Sequence, residues 1–221
     1  MPVNLDSYHN IKAELKENTK FVAVSKTQFP DDILKLYEAG QRDFGENYVQ
    51  ELVDKSAQLP DDIYWHFIGH LQSNKVKYIA PFVGLIQSVD SFKLLQEINK
   101  QALKQQRKIN CLLQVHIAME ENKFGMTKEE IFDVLHKSDS FENINICGLM
   151  GMASFTSDQV KVKQEFRTLK EIFIEAQVIQ KSNCNVTILS MGMSGDYKFA
   201  IEEGSNMIRI GSLIFGERNK T

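Results

Sequence analysis

Lys26 is the clearest candidate for chemistry in this sequence. It lies near the end of the run 21–27, a short apolar segment that is typical of a buried parallel strand. Desolvation in such a place lowers the pKa of an amine and favours its neutral form, which attacks carbonyl groups to form a Schiff base. The alternative is a lysine that leaves the strand and extends its amine into solvent.

Two segments near the end of the sequence, 189–196 and 208–216, combine glycine with serine. Glycine lets backbone N–H groups approach an anion closely, serine hydroxyls add donors, and a helix starting near 194–196 would offer its positive end. Barrels often bind phosphate after their last two strands. Tight turns that simply need glycine explain the same residues. Both interpretations stay open from these segments alone.

Arg209 lies inside an otherwise apolar run, 207–210. A buried guanidinium without partners is costly, so it needs either a structural ion pair, for example with Glu46, or a ligand atom to which it donates. A Schiff-base lysine, a phosphate cradle and an arginine able to face a pyridine nitrogen are three parts of one kind of site. Together they predict pyridoxal 5′-phosphate (PLP) as the cofactor.

The elements that must position these residues alternate regularly along the chain. Strands are predicted at 21–27, 42–47, 63–70, 85–90, 110–118, 144–150, 186–190 and 207–211. Helices are predicted at 5–18, 30–39, 48–58, 74–79, 91–106, 127–137, 158–181 and 196–203. This α/β pattern favours a single (β/α)8 barrel of the TIM type, with an extra N-terminal helix, over an open sheet. The polar residues fall where such barrels carry their sites, at the carboxyl ends of the strands.

Length and charge narrow the class of protein. The 221 residues suit one large domain, 1–221. Lys and Arg total 26 against 29 Asp and Glu, a net charge of −3, which gives no general attraction to nucleic acid or an anionic membrane. No apolar run approaches the ~20 residues of a membrane span, and no signal peptide precedes the first strand.

Cysteine and histidine usage points to a metal-free protein of a reducing compartment. Three cysteines without paired spacing favour the cytoplasm. His66 and His70 share one face of a predicted strand, but the sequence offers no third ligand near them. We therefore predict no metal site.

Several motifs resemble one known family over nearly the whole chain and in the same order. They are AVSKT at 23–27, GQRDFGENYVQE at 40–51, WHFIGHLQSNK at 65–75, GLM at 148–150, SMGMS at 190–194 with Asp196, and RIGS at 209–212 with FG at 215–216. In these segments the chain resembles the pyridoxal phosphate homeostasis protein family, the YggS/PROSC group. The resemblance implies the barrel of the alanine racemase N-terminal domain, which is PLP fold type III without the C-terminal β-domain, holding PLP as an internal aldimine.

The resemblance also implies roles for individual residues, and it assigns none as catalytic. The cofactor-binding positions that it implies are Lys26 for the Schiff base, Arg209 facing the pyridine nitrogen, Ser190, Ser194, Gly211 and Ser212 at the phosphate, and Asn47 and His70 near the ring. The match leaves open which of Ser190 and Ser194 touches the phosphate.

The expected function is to hold PLP and deliver it in intracellular PLP homeostasis, without strong catalysis. Arginine stays protonated, so a ring that it faces is a weaker electron sink than one paired with a carboxylate. In the related racemases a tyrosine of the C-terminal β-domain supplies the second base, and no tyrosine follows Tyr197 in this sequence. The expected partners are PLP and PLP-dependent apoenzymes, and the expected state is a cytoplasmic monomer. The alternatives are a weak PLP-dependent amino-acid racemase and a Schiff-base aldolase without PLP.

Overall fold

A computed structural model describes residues 3–118 and 124–216. Eight strands form a closed barrel in chain order, and every neighbouring pair is parallel. The strands are β1 (Lys20–Val24), β2 (Asp43–Glu46), β3 (Tyr64–Phe67), β4 (Leu85–Val89), β5 (Ile109–Gln114), β6 (Ile144–Met150), β7 (Cys184–Met193) and β8 (Met207–Ile210). The predicted barrel is therefore confirmed.

Helices connect the strands and surround the barrel, as the right-handed crossovers of parallel strands require. They are α1 (Leu5–Glu14), α2 (Pro30–Glu38), α3 (Val49–Ser56), α4 (Val76–Ile79), α5 (Phe92–Lys104), α6 (Lys128–His136), α7 (Gln159–Ala176), α8 (Tyr197–Glu202) and α9 (Ser212–Phe215). The extra N-terminal helix, α1, precedes the first strand as predicted. Its cap residue Asn4 accepts from the Ser7 N–H, and the Asn4 N–H donates to the carbonyl of Ile214.

Some boundaries differ from the prediction for local reasons. β1 ends at Val24, because the backbone turns at 26–27 and Thr27 adopts a left-handed φ of 65°. β7 extends to Met193 rather than 190, since register shifts on both sides let it continue along its neighbours. The predicted first and seventh helices end earlier, at Glu14 and Ala176, and α9 was not predicted.

Alternating side chains along each strand separate two cores. One face of the sheet packs against the helices in a large apolar core. A second, small cluster joins apolar side chains of five strands inside the barrel: Val22, Leu85, Leu112, Met150 and Met207. Within the described part of the chain, no helix is both long and apolar enough to cross a bilayer.

Pairing between the first and last strands brings the two ends of the sequence together. Val22 of β1 stands beside Arg209 of β8 in the register of this pair. Because both strands run in the same direction, the residues that follow them meet at one end of the barrel. Lys26 therefore lies on the same rim as the segment after β8.

Candidate functional site

A cavity of about 400 Å³ opens at the carboxyl end of the barrel. Its wall is formed by strand ends and by the loops that follow them: Val24, Lys26, Gln28, Asn47, Ile68, Met152, Phe155, Met193, Ser194, Gly195, Asp196, Arg209, Gly211, Ser212, Phe215 and Gly216. Inward positions recur at every second residue of a strand, as in Val24 and Lys26 or Arg209 and Gly211. A volume of this size suits a small organic ligand.

Lys26 reaches the cavity from the turn after β1, and its side chain is half-buried. The turn is fixed on both sides of Lys26. Thr27, in left-handed backbone, donates its N–H to Oε1 of Glu51 at 2.5 Å, and its hydroxyl bonds the Lys26 carbonyl at 2.6 Å. On the other side, the Ser25 hydroxyl donates to Oε1 of Glu46 at 2.6 Å. The prediction of a lysine inside a buried strand is wrong in detail, because the amine stands on a turn just beyond the strand.

A buried lysine beneath this turn contacts both of the carboxylates, Glu46 and Glu51, that hold it. Lys55 of α3 donates to the Ser25 carbonyl at 2.7 Å, to Glu46 at 2.8 Å and to Glu51 at 2.6 Å. Glu46 is fully buried, and its second carboxylate oxygen has no hydrogen-bond partner in the described part of the chain. Burial raises the pKa of Glu46 to about 7, although Lys55 and Ser25 act in the opposite direction. The alternative interpretation, in which Arg209 forms an ion pair with Glu46, is thus wrong, because Glu46 pairs with Lys55 of α3.

Arg209 enters the cavity from β8. Its Nη1 donates to the Ser190 hydroxyl at 2.6 Å and its Nη2 to the Gly151 carbonyl at 3.0 Å. Burial lowers the pKa of the Arg209 guanidinium to about 10, partly offset by the charge of Asp196, so the group stays protonated at neutral pH. These two bonds use two of its five N–H donors, and others can serve an acceptor atom of a ligand.

The ends of β7 and β8 meet at one side of the cavity. The Gly211 N–H donates to the Ser194 hydroxyl at 3.2 Å, which leaves the hydroxyl proton of Ser194 for another acceptor. Ser212 begins the single turn of α9, and a first helical turn leaves its leading N–H groups without intrahelical acceptors. A Cβ on Gly211 would come within 3.2 Å of the Val24 carbonyl oxygen, so glycine suits this close approach. Hydroxyls and N–H groups converge here on space for an anion.

Asp196 stabilises the turn beside the same corner. Its carboxylate accepts from the Met193 N–H at 2.6 Å, closing the turn after β7. Burial raises the pKa of Asp196, while the Met193 N–H and the charge of Arg209 oppose that shift. The predicted helix after β7 starts at Tyr197 and has six residues.

Asn47 contributes a polar group from the exit of β2. Its Oδ1 is buried and has no hydrogen-bond partner among the described residues. A Cβ on Gly69 would overlap the Asn47 backbone, so glycine at 69 allows the exits of β2 and β3 to touch. An orphaned amide oxygen on a cavity wall fits a ligand that brings a donor.

Two expected residues are not part of this wall. Ser190 is fully buried within the barrel, where its hydroxyl bonds Gln87 at 2.7 Å and receives Arg209. It therefore supports Arg209 instead of reaching the anion corner. His70 lines an adjoining cavity that shares Asn47, stacks on Phe124 and lies 3.0 Å from Asp90.

The sequence reasoning missed three residues around the site. Lys55 is one of many helix lysines, and only its return to a buried position beneath Lys26 sets it apart. Gln87 lies in the middle of β4, and this position could have indicated a polar network inside the barrel, because a buried amide needs hydrogen-bond partners. Phe155, fully exposed beside the cavity, carries no sequence signal that distinguishes it.

The chain is similar to a family model, to protein sequences and to solved structures. The family model described as alanine racemase, N-terminal domain, matches residues 6–219. The pyridoxal phosphate homeostasis protein of Aquifex aeolicus (strain VF5) is 40% identical over 200 residues, covering 90% of this chain and 87% of that protein. The solved structure of PipY from Synechococcus elongatus PCC7942 with PLP bound has a TM-score of 0.88 at 32% identity, covering 96% of this chain and 99% of that one. Alanine racemase of Clostridium difficile 630 shares the fold, with a TM-score of 0.71 at 18% identity, covering 99% of this chain and 58% of that one.

Proposed function

The chain belongs to the alanine racemase N-terminal domain family and, within it, to the pyridoxal phosphate homeostasis proteins, and we propose that it binds PLP through Lys26 and holds it for delivery. The relative PipY is described with PLP bound. The observation that carries the proposal is the convergence in one cavity of a lysine, a guanidinium and an anion corner of serine and glycine.

The described residues fit the parts of PLP. The corner formed by Ser194, Gly211 and Ser212 offers hydroxyl and N–H donors, which a phosphate group needs. Arg209 is a permanent donor suited to the pyridine nitrogen, and the orphaned oxygen of Asn47 suits a hydroxyl donor on the ring. When bound, PLP supplies an aldehyde that condenses with an amine and a ring that withdraws electrons from it.

The residues of the chain have distinct tasks in this scheme. Lys26 supplies the amine for the covalent attachment, and the turn that carries it is fixed through Ser25 and Thr27. Arg209 keeps its own proton, so it orients the ring and leaves the ring nitrogen without an added proton. Ser194 donates its free hydroxyl proton to the anion while it accepts from Gly211.

Holding rather than turnover is supported by the titratable groups on the described wall, which are Lys26, Asp196 and Arg209. Arg209 stays protonated, and Asp196 already accepts from the Met193 N–H. Lys26 is then the group placed to exchange protons, which suits attachment better than proton exchange on two faces of a substrate. The exposed rim, including Phe155 and Ser212, leaves a route for the cofactor to depart.

The finer features of the proposal concern partners and state. PLP-dependent apoenzymes would be the recipients, and the unit of delivery would be a monomer with one domain, 1–221. Three unpaired cysteines, Cys111, Cys147 and Cys184, agree with a reducing compartment such as the cytoplasm. PLP-loaded protein is mixed with a PLP-dependent apoenzyme and the mixture is separated by size-exclusion chromatography. The PLP found with the apoenzyme measures transfer, and the elution volume of this protein measures its oligomeric state.

The central experiment is borohydride reduction after PLP addition, with peptide mass mapping. The pyridoxyl adduct is expected on Lys26 with loss of the visible absorption band, and it should be absent in Lys26→Ala. Lys35→Ala is the matched control, because Lys35 is an exposed lysine of α2 paired with Asp32. An adduct on another lysine, or none after incubation with PLP, would contradict the proposal. PLP-dependent loss of amino-acid chirality well above that of free PLP, and abolished in Lys26→Ala, would favour a racemase instead.

A further inference from the structure

A continuous line of hydrogen bonds crosses the inside of the barrel and ends at Arg209. Arg209 Nη1 lies 2.6 Å from the Ser190 Oγ, and Ser190 Oγ lies 2.7 Å from Gln87 Oε1. Gln87 Nε2 lies 2.9 Å from His66 Nδ1, and His66 Nε2 lies 2.9 Å from Asp43 Oδ1. The line uses five strands, and Asp43 stands at the start of β2, at the opposite end of the barrel from the cavity.

The two ends of this line fix its direction. Arginine carries only donors, so Ser190 must accept from Arg209 and give its own proton to Gln87. An ionised carboxylate carries only acceptors, so His66 must donate to Asp43 through Nε2. With a neutral imidazole, every bond then points from Arg209 toward Asp43, and each group is satisfied.

The reverse orientation of the Gln87 amide fails this test. In that orientation the amide nitrogen of Gln87 would face Ser190, and the hydroxyl proton of Ser190 would have no acceptor. The amide oxygen would face His66 Nδ1. His66 would then need a proton on both nitrogens. In the favoured orientation, Gln87 Nε2 has a further contact with the sulfur of Met207 at 3.3 Å, which uses its second hydrogen.

The surroundings of His66 favour the neutral imidazole. Burial is the main cause that lowers the pKa of His66, and the positive charge of Lys20 acts in the same direction, while Asp43 opposes them. The Tyr64 ring meets the imidazole edge-on at 5.1 Å, and Gln87 closes the other side. At the outer end, burial alone would raise the pKa of Asp43, but the hydrogen bond from His66, the charge that His66 carries when protonated, and the charges of Lys20 and Lys12 lower it overall.

We propose that Asp43, His66, Gln87 and Ser190 form a positioning relay for Arg209, in which His66 is held as the Nε2–H tautomer and every bond points from Arg209 toward Asp43. The inference rests on the proposed function, because it concerns how the same cavity presents Arg209 to PLP. The relay turns the guanidinium toward Ser190 and Gly151 and holds its remaining donors toward the cavity.

The first test needs no cofactor. Histidine labelled with ¹⁵N in the PLP-free protein reports the tautomer, and His66→Gln identifies the His66 signals among the five histidines. The expected result is an imidazole that keeps its single proton on Nε2 and stays neutral between about pH 6 and 8, where an unperturbed histidine titrates. A Nδ1–H tautomer, or an imidazolium at pH 7, would overturn the relay.

The second test asks whether the relay positions Arg209. Ser190→Ala removes the acceptor of Nη1, and we expect PLP to bind about tenfold more weakly, with a shifted visible band, as suits the loss of a hydrogen bond to a charged group. Ser205→Ala is the matched control, since Ser205 is also a buried serine, but its hydroxyl partners among the described residues are backbone carbonyls. Equal affinity and equal spectra for Ser190→Ala and the unmodified protein would overturn the positioning role.

The outcomes separate this inference from the proposed function. If the unmodified protein fails to bind PLP, the proposed function falls, and the tautomer of His66 still decides the direction of the relay. Hydrogen exchange of the Arg209 guanidinium then decides its positioning without PLP. Faster exchange in Ser190→Ala than in Ser205→Ala supports the relay, and equal exchange rates overturn it.

Discussion

Lys55 donates a hydrogen bond of 2.7 Å to the backbone carbonyl of Ser25, the residue that precedes Lys26. The bond comes from a helix that follows β2, so the helix holds the turn of the neighbouring strand. The same ammonium donates to Glu46 and Glu51, and Glu51 in turn accepts from the N–H of Thr27. The position of Lys26 is therefore coupled to a buried ion cluster on the outer face of the sheet.

Replacing Lys55 with methionine should destabilise the fold by about 3 kcal/mol or more at pH 8, because the buried Glu46 loses its counter-charge and the Ser25 carbonyl loses its donor. Urea unfolding of the PLP-free protein measures the change. Lys128→Met is the control, since Lys128 and Glu175 form an exposed pair whose loss should cost about 1 kcal/mol at most. Similar losses for the two variants would show that the buried cluster contributes no more than a surface pair.

Replacing Glu46 with glutamine should change how stability depends on pH. A carboxyl whose pKa is raised from 4.5 to about 7 on folding contributes stability below about pH 4.5 that is lost as the pH rises through 7. Relative to Glu46→Gln, the unmodified protein should lose up to about 3 kcal/mol of unfolding free energy between pH 4.5 and 8. Urea unfolding at both pH values tests this, with the exposed Glu175→Gln as a control that should follow the unmodified protein. A parallel pH profile in Glu46→Gln would contradict the raised pKa.

Replacing Ser194 with alanine should weaken PLP but not pyridoxal, which lacks the phosphate. The hydroxyl of Ser194 accepts from the Gly211 N–H and so has its proton available for an anion. Loss of that donor should raise the PLP dissociation constant about tenfold. Titration of both ligands, followed by absorption, measures the difference. An equal effect on both ligands would place the contribution of Ser194 away from the phosphate.

Replacing Gly148 with alanine should prevent normal closure of the barrel. The added Cβ would overlap the carbonyl group of Ile188, where β6 lies against β7. The expected loss is about 3 kcal/mol or more, seen as a lower urea midpoint or as failure to accumulate folded protein. Gly195→Ala is the control, because a Cβ at Gly195 meets nothing within 4 Å. Equal midpoints for the two variants would show that the strands separate at little cost.

The sequence was sufficient to predict the barrel and one rim of the site. Alternating strands and helices specify a parallel barrel, and a residue that follows a strand must lie at its carboxyl end. For this reason the predictions brought Lys26, Asn47 and Arg209 to the same cavity. The cofactor itself followed from the combination of amine, guanidinium and glycine–serine segments.

The strand boundaries that differ from the prediction are ends that the local sequence does not define. Ser190 was predicted to end its strand, but β7 continues to Met193 and keeps Ser190 inside the barrel. β3 ends at Phe67, so His70 lies beyond the strand in the adjoining cavity. Contacts such as Lys55 with Ser25, which are distant in sequence, depend on how a helix packs and leave no periodic signal.

The pairing of β1 with β8 has a consequence for the order of events during synthesis. The turn that carries Lys26 is synthesised early, whereas Arg209 and the corner formed by Ser194, Gly211 and Ser212 follow only with the last two strands. A nascent chain thus has the Lys26 amine before the groups that, under the proposed function, would recognise and retain the aldehyde. Under the proposed function, loading with cofactor waits until β8 has paired with β1, and an interrupted translation product that lacks β8 carries the amine without this pocket.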